Sequence, residues 1–361
     1  MLRTIILSAI LFSSCTVKQE TAQGITVESD TVLSLIFAGD IMGHSPQFRA
    51  AYMPETKTYN YEACFKHVKP YIESADIAVA NLEVPIAGQP YSGYPRFSSP
   101  DALLDALKSA GYDVLLTANN HIVDRGKKGM ERTIRHVQQR DLLHVGSYMD
   151  KAQRDSLYPL IIERKGVRLA LLNYTYGTNG IPITPPNIVN VIDTNLIKED
   201  IQKANEKNAD LKIMTVHWGE EYQPKANSEQ KQLAGFFVRN GIDAVIGAHP
   251  HVVQNVEIRY REDSIPIPVY YSLGNSISNQ RKPHTNGGIM VKLTVNTHTK
   301  TIEHSSYLPV YVHKGILDGV YQYHLIPTGD YLRNTPEFTL NAADSAALQF
   351  FDAETRKRLD N

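Results

Sequence analysis

"DAVIGAHPH" (243–251) sets an apolar run directly before two histidines separated by one proline. An uninterrupted apolar run is what a strand buried on both faces carries. Loops at the carboxyl ends of such strands are where α/β proteins hold ligands. In an extended segment His249 and His251 point to the same side, with Pro250 limiting the backbone between them. Two imidazoles so placed can reach one metal ion, or one metal ion and the substrate beside it. Taken alone, "HPH" also describes paired surface histidines in a turn.

The same pattern recurs outward from this stretch. "VLSLIFAG" (32–39), "DIAVAN" (76–81), "DVLLTA" (113–118), "LKIMTV" (211–216) and "PVYYSLG" (268–274) are short apolar runs separated by helical periodicities. One of these is "SEQKQLAGFFVRNG", with Ser228 as its cap and Gly241 beyond its end. Strands alternating with helices predict an α/β domain with a covered sheet. "RLALLNY" (168–174) and "GGIMVKLTV" (287–295) add further strands, the latter pairing with "TIEHSSYLPV" across a turn near Thr297 to Lys300. The expected domain covers 32–310, as one mixed sheet or two. Residues 311–361 are expected to form a C-terminal appendage ending in a helix over "AADSAALQFFDAETRKRL".

The residues just after each run carry the chemistry. The first run ends in Asp40, the second in Asn81 and Glu83, and the third in Asn119, Asn120, His121 and Asp124. The fourth ends in His217 and Glu221, the fifth in the two histidines, and the sixth in Asn275. Burying such groups without partners costs about 1–3 kcal/mol each, and more for a charge. A bound cation compensates most simply. Imidazoles, carboxylates and a carboxamide without a thiolate suit manganese, iron or zinc, and suit calcium poorly. In isolation, His217 beside Trp218 is also what a hydrogen-bonded core histidine looks like.

The chain has 361 residues, 42% hydrophobic, with a formal net charge of -1. That composition supports a large core, and the balanced charge offers no global field for nucleic acid or anionic lipid. "MLRTIILSAILFSSC" opens with Arg3, an apolar stretch and small residues before Cys15, an export signal too short to span a membrane. Residues 1–15 resemble a lipoprotein signal peptide with a lipobox that lipidates Cys15; an ordinary signal-peptidase site beside that cysteine is the alternative. Residues 16–31 are polar and aperiodic, as a tether is. Cys64 is the one other cysteine, in an amphipathic pattern that suits packing.

"FAGDIM", "NLEVPI", "TANNHIVDRG", "HWGEEY", "GIDAVIGAHPHVVQ" and "YYSLGNSI" run in order from about residue 36 to 277. Together they resemble the CapA family of poly-gamma-glutamate capsule synthesis proteins, whose fold is similar to calcineurin-like metallophosphoesterases. The resemblance implies a four-layer α/β/β/α sandwich with mixed sheets and a metal centre at the sheet edges. It implies two divalent ions held by Asp40, Glu83, Asn120, His217, His249 and His251, with Glu83 a candidate bridge. His121 looks like the acid that assists the leaving group, and Asp124 like the residue that orients it. The wider phosphoesterases commonly open with aspartate-x-histidine; here Asp40 is followed by "IMGH", which leaves His44 to fill a metal position or to pack at the rim.

Such a centre predicts hydrolysis. The expected substrate is an envelope polymer or its precursor. The expected partners are a membrane, through the lipid anchor, and capsule synthesis machinery, with no nucleic acid. A non-catalytic polymer-binding assembly component and a nucleotide phosphodiesterase are the competing classes. Asn81, Asn119, Asn275, Glu221, Arg96 and Arg125 are candidate substrate contacts, as are Arg281 and Lys282. Tyr91, Tyr94, Tyr174, Tyr176 and Tyr222 are candidates for an aromatic clamp.

Overall fold

Alternate residues of the strand Val32–Ile41 enter two different cores. Leu33, Leu35 and Phe37 pack in one, Ile36 and Ala38 in the other. Side chains alternate across a strand, so this sheet is covered on both faces, and each fully buried large apolar side chain contributes roughly 1.5–3 kcal/mol. The computed structural model describes residues 17–19, 31–280, 282–333 and 339–360. The expected signal peptide, Cys15, nearly all of the expected tether and Arg281 lie outside them.

Val32–Ile41 runs parallel to Ile77–Leu82, which is followed outward by Val114–Leu116 and Leu143–Val145, all parallel. On its other side lie antiparallel Gly287–Asn296 and then Thr301–Leu317. Val17–Gln19, within the expected tether, pairs with residues 305–307. These strands, with Asn275–Ile277 and Val320–Pro327, form a nine-stranded sheet. A six-stranded sheet holds Val167–Thr175, Leu211–His217, Ala244–Ala248 and Pro266–Tyr270 in parallel, with antiparallel edges Leu160–Arg164 and Val256–Tyr260. Leu35, Phe37, Leu169, Leu171, Ile213, Val245 and Leu293 share one core cluster, to which the helices Thr194–Glu206 and Ser228–Arg239 add Ile197, Ile201 and Phe237. The helix Ala102–Ser109 packs Leu103, Leu104 and Leu107 with Ala78 and Ala80 in the second cluster. The result is the expected α/β/β/α sandwich with mixed sheets.

Three local expectations change. The run at 268–274 is a strand only through Tyr270. From there the chain crosses to the other sheet, turning at Gly274 with φ +71°, and Asn275 pairs beside Asp40. That crossing binds the two sheets together at one edge. Asn227, not Ser228, caps the helix Ser228–Arg239, its side chain accepting from Gln230 N at 2.9 Å. The boundary expected at residue 310 falls inside Thr301–Leu317, which folds back on Val320–Pro327. Tyr323 and Leu325 then bury in the second core, so the C-terminal segment shares the main sheet. The terminal helix Ala342–Leu359 covers the quoted stretch and sets Leu348 and Phe351 against Tyr311 and Ile326.

Candidate metal centre

The carboxyl ends of both parallel strand sets meet at one edge, and the polar residues beyond them meet there too. Asp40 and Glu83 come from the nine-stranded sheet and His217, His249 and His251 from the six-stranded sheet. Glycines permit the approach. A Cβ on Gly39 would lie 2.0 Å from Gly274 O, and one on Gly247 2.0 Å from Tyr271 O.

The expected extended "HPH" does not form. His249 has φ +98° and His251 φ +58°, backbone regions that L-residues with a Cβ occupy at a cost of about 1–3 kcal/mol. The turn is held from both sides. His249 N donates to Asp40 Oδ2 at 3.3 Å, and Tyr222 N donates to Pro250 O at 2.8 Å. Both imidazoles are buried, which rules out paired surface histidines.

Two overlapping groups result. The ligand atoms of Asp40, Glu83 and His217 lie within 4.8 Å of one another, as do those of Glu83, His249 and His251. Glu83 belongs to both. It is fully buried, and among the described residues neither of its oxygens has a hydrogen-bond partner. Its Oε1 lies 3.5 Å from His217 Nε2 and 3.7 Å from His251 Nε2. Burial, and then the nearby Asp40 carboxylate, hold its carboxyl well above the ordinary carboxylate range. His249 Nδ1 is also buried, with no partner among the described residues. Burial, reinforced by neighbouring histidines, pushes His249 down to about 3 and His217 well below its ordinary value. Both imidazoles are therefore neutral at pH 7, the form that donates a lone pair to a metal. Unpaired carboxylate oxygens facing neutral imidazoles are the arrangement that a divalent cation satisfies, so the residues fit the expected metal.

Neighbouring residues orient these groups. Asn81 Nδ2 donates to Asp40 Oδ1 at 2.7 Å and lies 3.3 Å from His217 Nδ1. Asn120 Oδ1 is 3.0 Å from His217 Nε2. Asn275 Oδ1 is 3.1 Å from His251 Nδ1, and its amide nitrogen donates to Thr285 O. Asn119 binds Leu82 O and accepts from His121 N. His121 Nδ1 is 2.9 Å from Asp124 Oδ2, which also accepts from Phe97 N at 2.8 Å. The Phe97 ring stands edge-on to His121 at 4.7 Å between centroids.

Other candidates lie elsewhere. His44 caps the helix Ser45–Ala51, its Nδ1 3.0 Å from Gln47 Oε1, and joins neither ligand group. Glu221 is exposed and reaches the centre only by raising Glu83 electrostatically. Arg96 is exposed, and Arg125 donates to Pro90 O. Lys282 sits over the Tyr222 ring at 3.7 Å. Tyr174 is buried against Asp200, which removes it from any clamp, whereas Tyr176 and Tyr222 flank His249 and His251. Sequence reading missed Asn179, whose Oδ1 accepts from Asn120 Nδ2 at 3.3 Å and from the Tyr176 hydroxyl at 3.1 Å. This turns the Asn120 carboxamide oxygen toward His217. "TNG" at 178–180 signals only a turn.

Comparison with known proteins accords with this geometry. A family model described as bacterial capsule synthesis protein PGA_cap matches residues 34–280. The chain is 31% identical over 273 residues to the capsule biosynthesis protein CapA of Bacillus anthracis, covering 72% of this chain and 63% of that protein. It is 29% identical over 286 residues to the PGA biosynthesis protein CapA of Bacillus subtilis (strain 168), covering 76% of this chain and 70% of that one. Among solved structures, the Haemophilus influenzae NAD nucleotidase (NadN) aligns with a TM-score of 0.50 at 11% identity, over 90% of this chain and 60% of that one. At that identity the likeness concerns the fold alone, which is of the metallophosphoesterase kind. Because the family match runs from the first long strand, through both ligand groups, to the crossing that joins the sheets, the chain belongs to the bacterial capsule synthesis protein PGA_cap family.

Proposed function

We propose that this chain is an exported, lipid-anchored, metal-dependent hydrolase acting on a capsule or envelope polymer, or on its phosphorylated precursor. The observation that carries the reading is Glu83, whose two buried, unpaired oxygens stand between two ligand groups. Asp40, Glu83, Asn120 and His217 would hold one divalent ion, and Glu83, His249 and His251 a second. Such an ion, when bound, supplies a Lewis acid and lowers the pKa of water toward neutrality.

The chain's own residues perform the rest. Asp124 accepts from His121 Nδ1 and so fixes the imidazole, leaving Nε2 as the nitrogen that passes a proton to the departing group. Phe97 holds both partners, through its backbone N–H on Asp124 and its ring on His121. Tyr176 and Tyr222 wall the histidines and limit access by water. The family's association with capsule synthesis supports the envelope setting, as does the leader ending at Cys15.

Elemental analysis of the protein beside a His249→Ala/His251→Ala variant tests the centre: bound manganese, iron or zinc is expected in the first and lost in the second. His121→Ala is expected to keep its metal and lose hydrolysis. Absence of metal in the wild-type chain after supplementation would leave a polymer-binding component as the better account. Labelled palmitate entering the wild type but not Cys15→Ser would support the anchor.

A further inference from the structure

Asp124 faces two ways. Its Oδ2 serves His121 and Phe97, while its Oδ1 is buried with no partner among the described residues. Beside it opens a cavity of about 630 Å³ whose walls include Arg96, Arg125, Lys128, Arg132 and Arg135. Two of these cations are neutralised internally. Arg132 makes a two-pronged bond to Asp101 at 2.7 and 2.8 Å, and Arg135 lies 3.7 Å from Glu131. Arg125 reaches only the carbonyl of Pro90. Among the described residues, Arg96, Arg125 and Lys128 meet no carboxylate. Among the described residues the walls' one acid is Asp124, which is 3% exposed and whose Oδ2 is committed to His121 and Phe97.

Three uncompensated cations around one concavity repel one another, and an anion between them relieves that repulsion. The local backbone adds to the field. The helix Gly126–Gln138 begins at this cavity with Lys127 and Lys128 in its first turn and no acid there. Cations at a helix amino terminus oppose the macrodipole, so this arrangement disfavours the fold and favours an anionic ligand. The buried Asp124 carboxylate repels an anion from the His121 side, which seats it toward Arg96 and Lys128.

We propose that this cavity is an oxyanion subsite in which Arg96, Arg125 and Lys128 bind a carboxylate or phosphate carried by the substrate beyond its reacting bond. Its position on the Asp124 side, next to the departing group, rests on the hydrolase reading above; anion binding by the cavity does not. The subsite selects a substrate with repeated negative charge over one with a single anionic group at the reacting bond.

The test is fluorescence anisotropy on the full chain at low ionic strength, with two labelled probes, a hexa-L-glutamate peptide and a linear hexaphosphate. Binding of the first alone assigns the subsite to carboxylates and of the second alone to phosphates. Arg96→Ala/Lys128→Ala is expected to weaken the bound probe about tenfold, each exposed cation contributing a factor of about two to five. Lys128→Glu, which needs no change of backbone, is expected to weaken it further. Wild-type affinity is expected to fall more steeply than that of the double variant between about 50 and 200 mM salt. Lys198→Ala/Lys231→Ala, at two residues that do not line the cavity, serves as the control and is expected to bind as the wild type does. Failure of both probes to bind, or equal affinity in wild type and Arg96→Ala/Lys128→Ala, overturns the proposal. Probe binding retained in His249→Ala/His251→Ala separates the subsite from the metal centre. Absence of turnover by the metal-loaded wild type overturns the hydrolase reading and leaves the subsite standing.

Discussion

Replacing Glu83 with glutamine should stabilise the metal-free protein and weaken the metal-loaded one. The carboxyl is fully buried, its oxygens are unpaired, and burial with Asp40 nearby raises its pKa well above 4.5. Without metal, the folded protein either tolerates a buried charge or takes up a proton. Protonation sets the ceiling on the cost: at about pH 7.5, three units above the unfolded value, it is about 4 kcal/mol. Linkage gives the sign. Below 4.5 both states are protonated and Glu83 costs nothing. As pH rises above 4.5 the unfolded chain releases its proton first, so metal-free stability falls until the folded pKa is passed. Glu83→Gln removes that slope. A gain of about 1–3 kcal/mol in chelator at neutral pH is expected, or about 2 °C per kcal/mol in a chain this large. With metal at about a hundredfold over its Kd, wild type gains about 2.7 kcal/mol, a gain the variant loses. Thermal melts of both proteins with chelator and with manganese or zinc, across pH 5 to 8, make the measurement. A chelated variant less stable than chelated wild type would refute the reasoning, because Glu83 would then be an internal structural partner.

Other parts of the fold give three more expected outcomes. Burial pushes His144 down to about 4 from 6.5, so its contribution is complete above pH 6.5 and falls by roughly 3 kcal/mol as pH drops toward 4; His144→Leu should flatten the urea-midpoint profile across that window. Gly39→Ala drives a Cβ to 2.0 Å from Gly274 O and should cost about 3 kcal/mol and lower metal content through Asp40, whereas Gly177→Ala, with nothing within 4 Å, should stay within about 0.5 kcal/mol by chemical denaturation. Asp200 is fully buried and takes Arg154 Nη2 and the Tyr174 hydroxyl, each at 2.5 Å. Asp200→Ala should therefore cost about 3–5 kcal/mol, and Asp200→Leu/Arg154→Met should recover most of it.

The central strands of both sheets are legible in the sequence because a strand buried on two faces leaves a continuous apolar run, whereas half-exposed edge strands such as Leu160–Arg164 and Val256–Tyr260 leave none. The terminal helix is equally legible, since good helix formers fill it. The residues of the centre are legible for a related reason: polar groups placed just after such runs stand out against them. Their roles came from likeness to a family, because "NLE" or "GD" alone is common loop chemistry.

Tertiary structure decided everything that depends on two distant segments meeting. It distributed the runs between two sheets, ended the strand after Tyr270 to cross from one to the other, and carried Thr301–Leu317 through the expected boundary. It bent the "HPH" segment into positive φ, which no local preference of histidine dictates, because Asp40 and Tyr222 hold it there. It also stranded Glu83 between two ligand groups and, among the described residues, left three cations of the neighbouring cavity without a carboxylate. Periodicity and turn chemistry act over a few residues and are written in the chain, whereas desolvation and charge pairing depend on which surfaces are brought together.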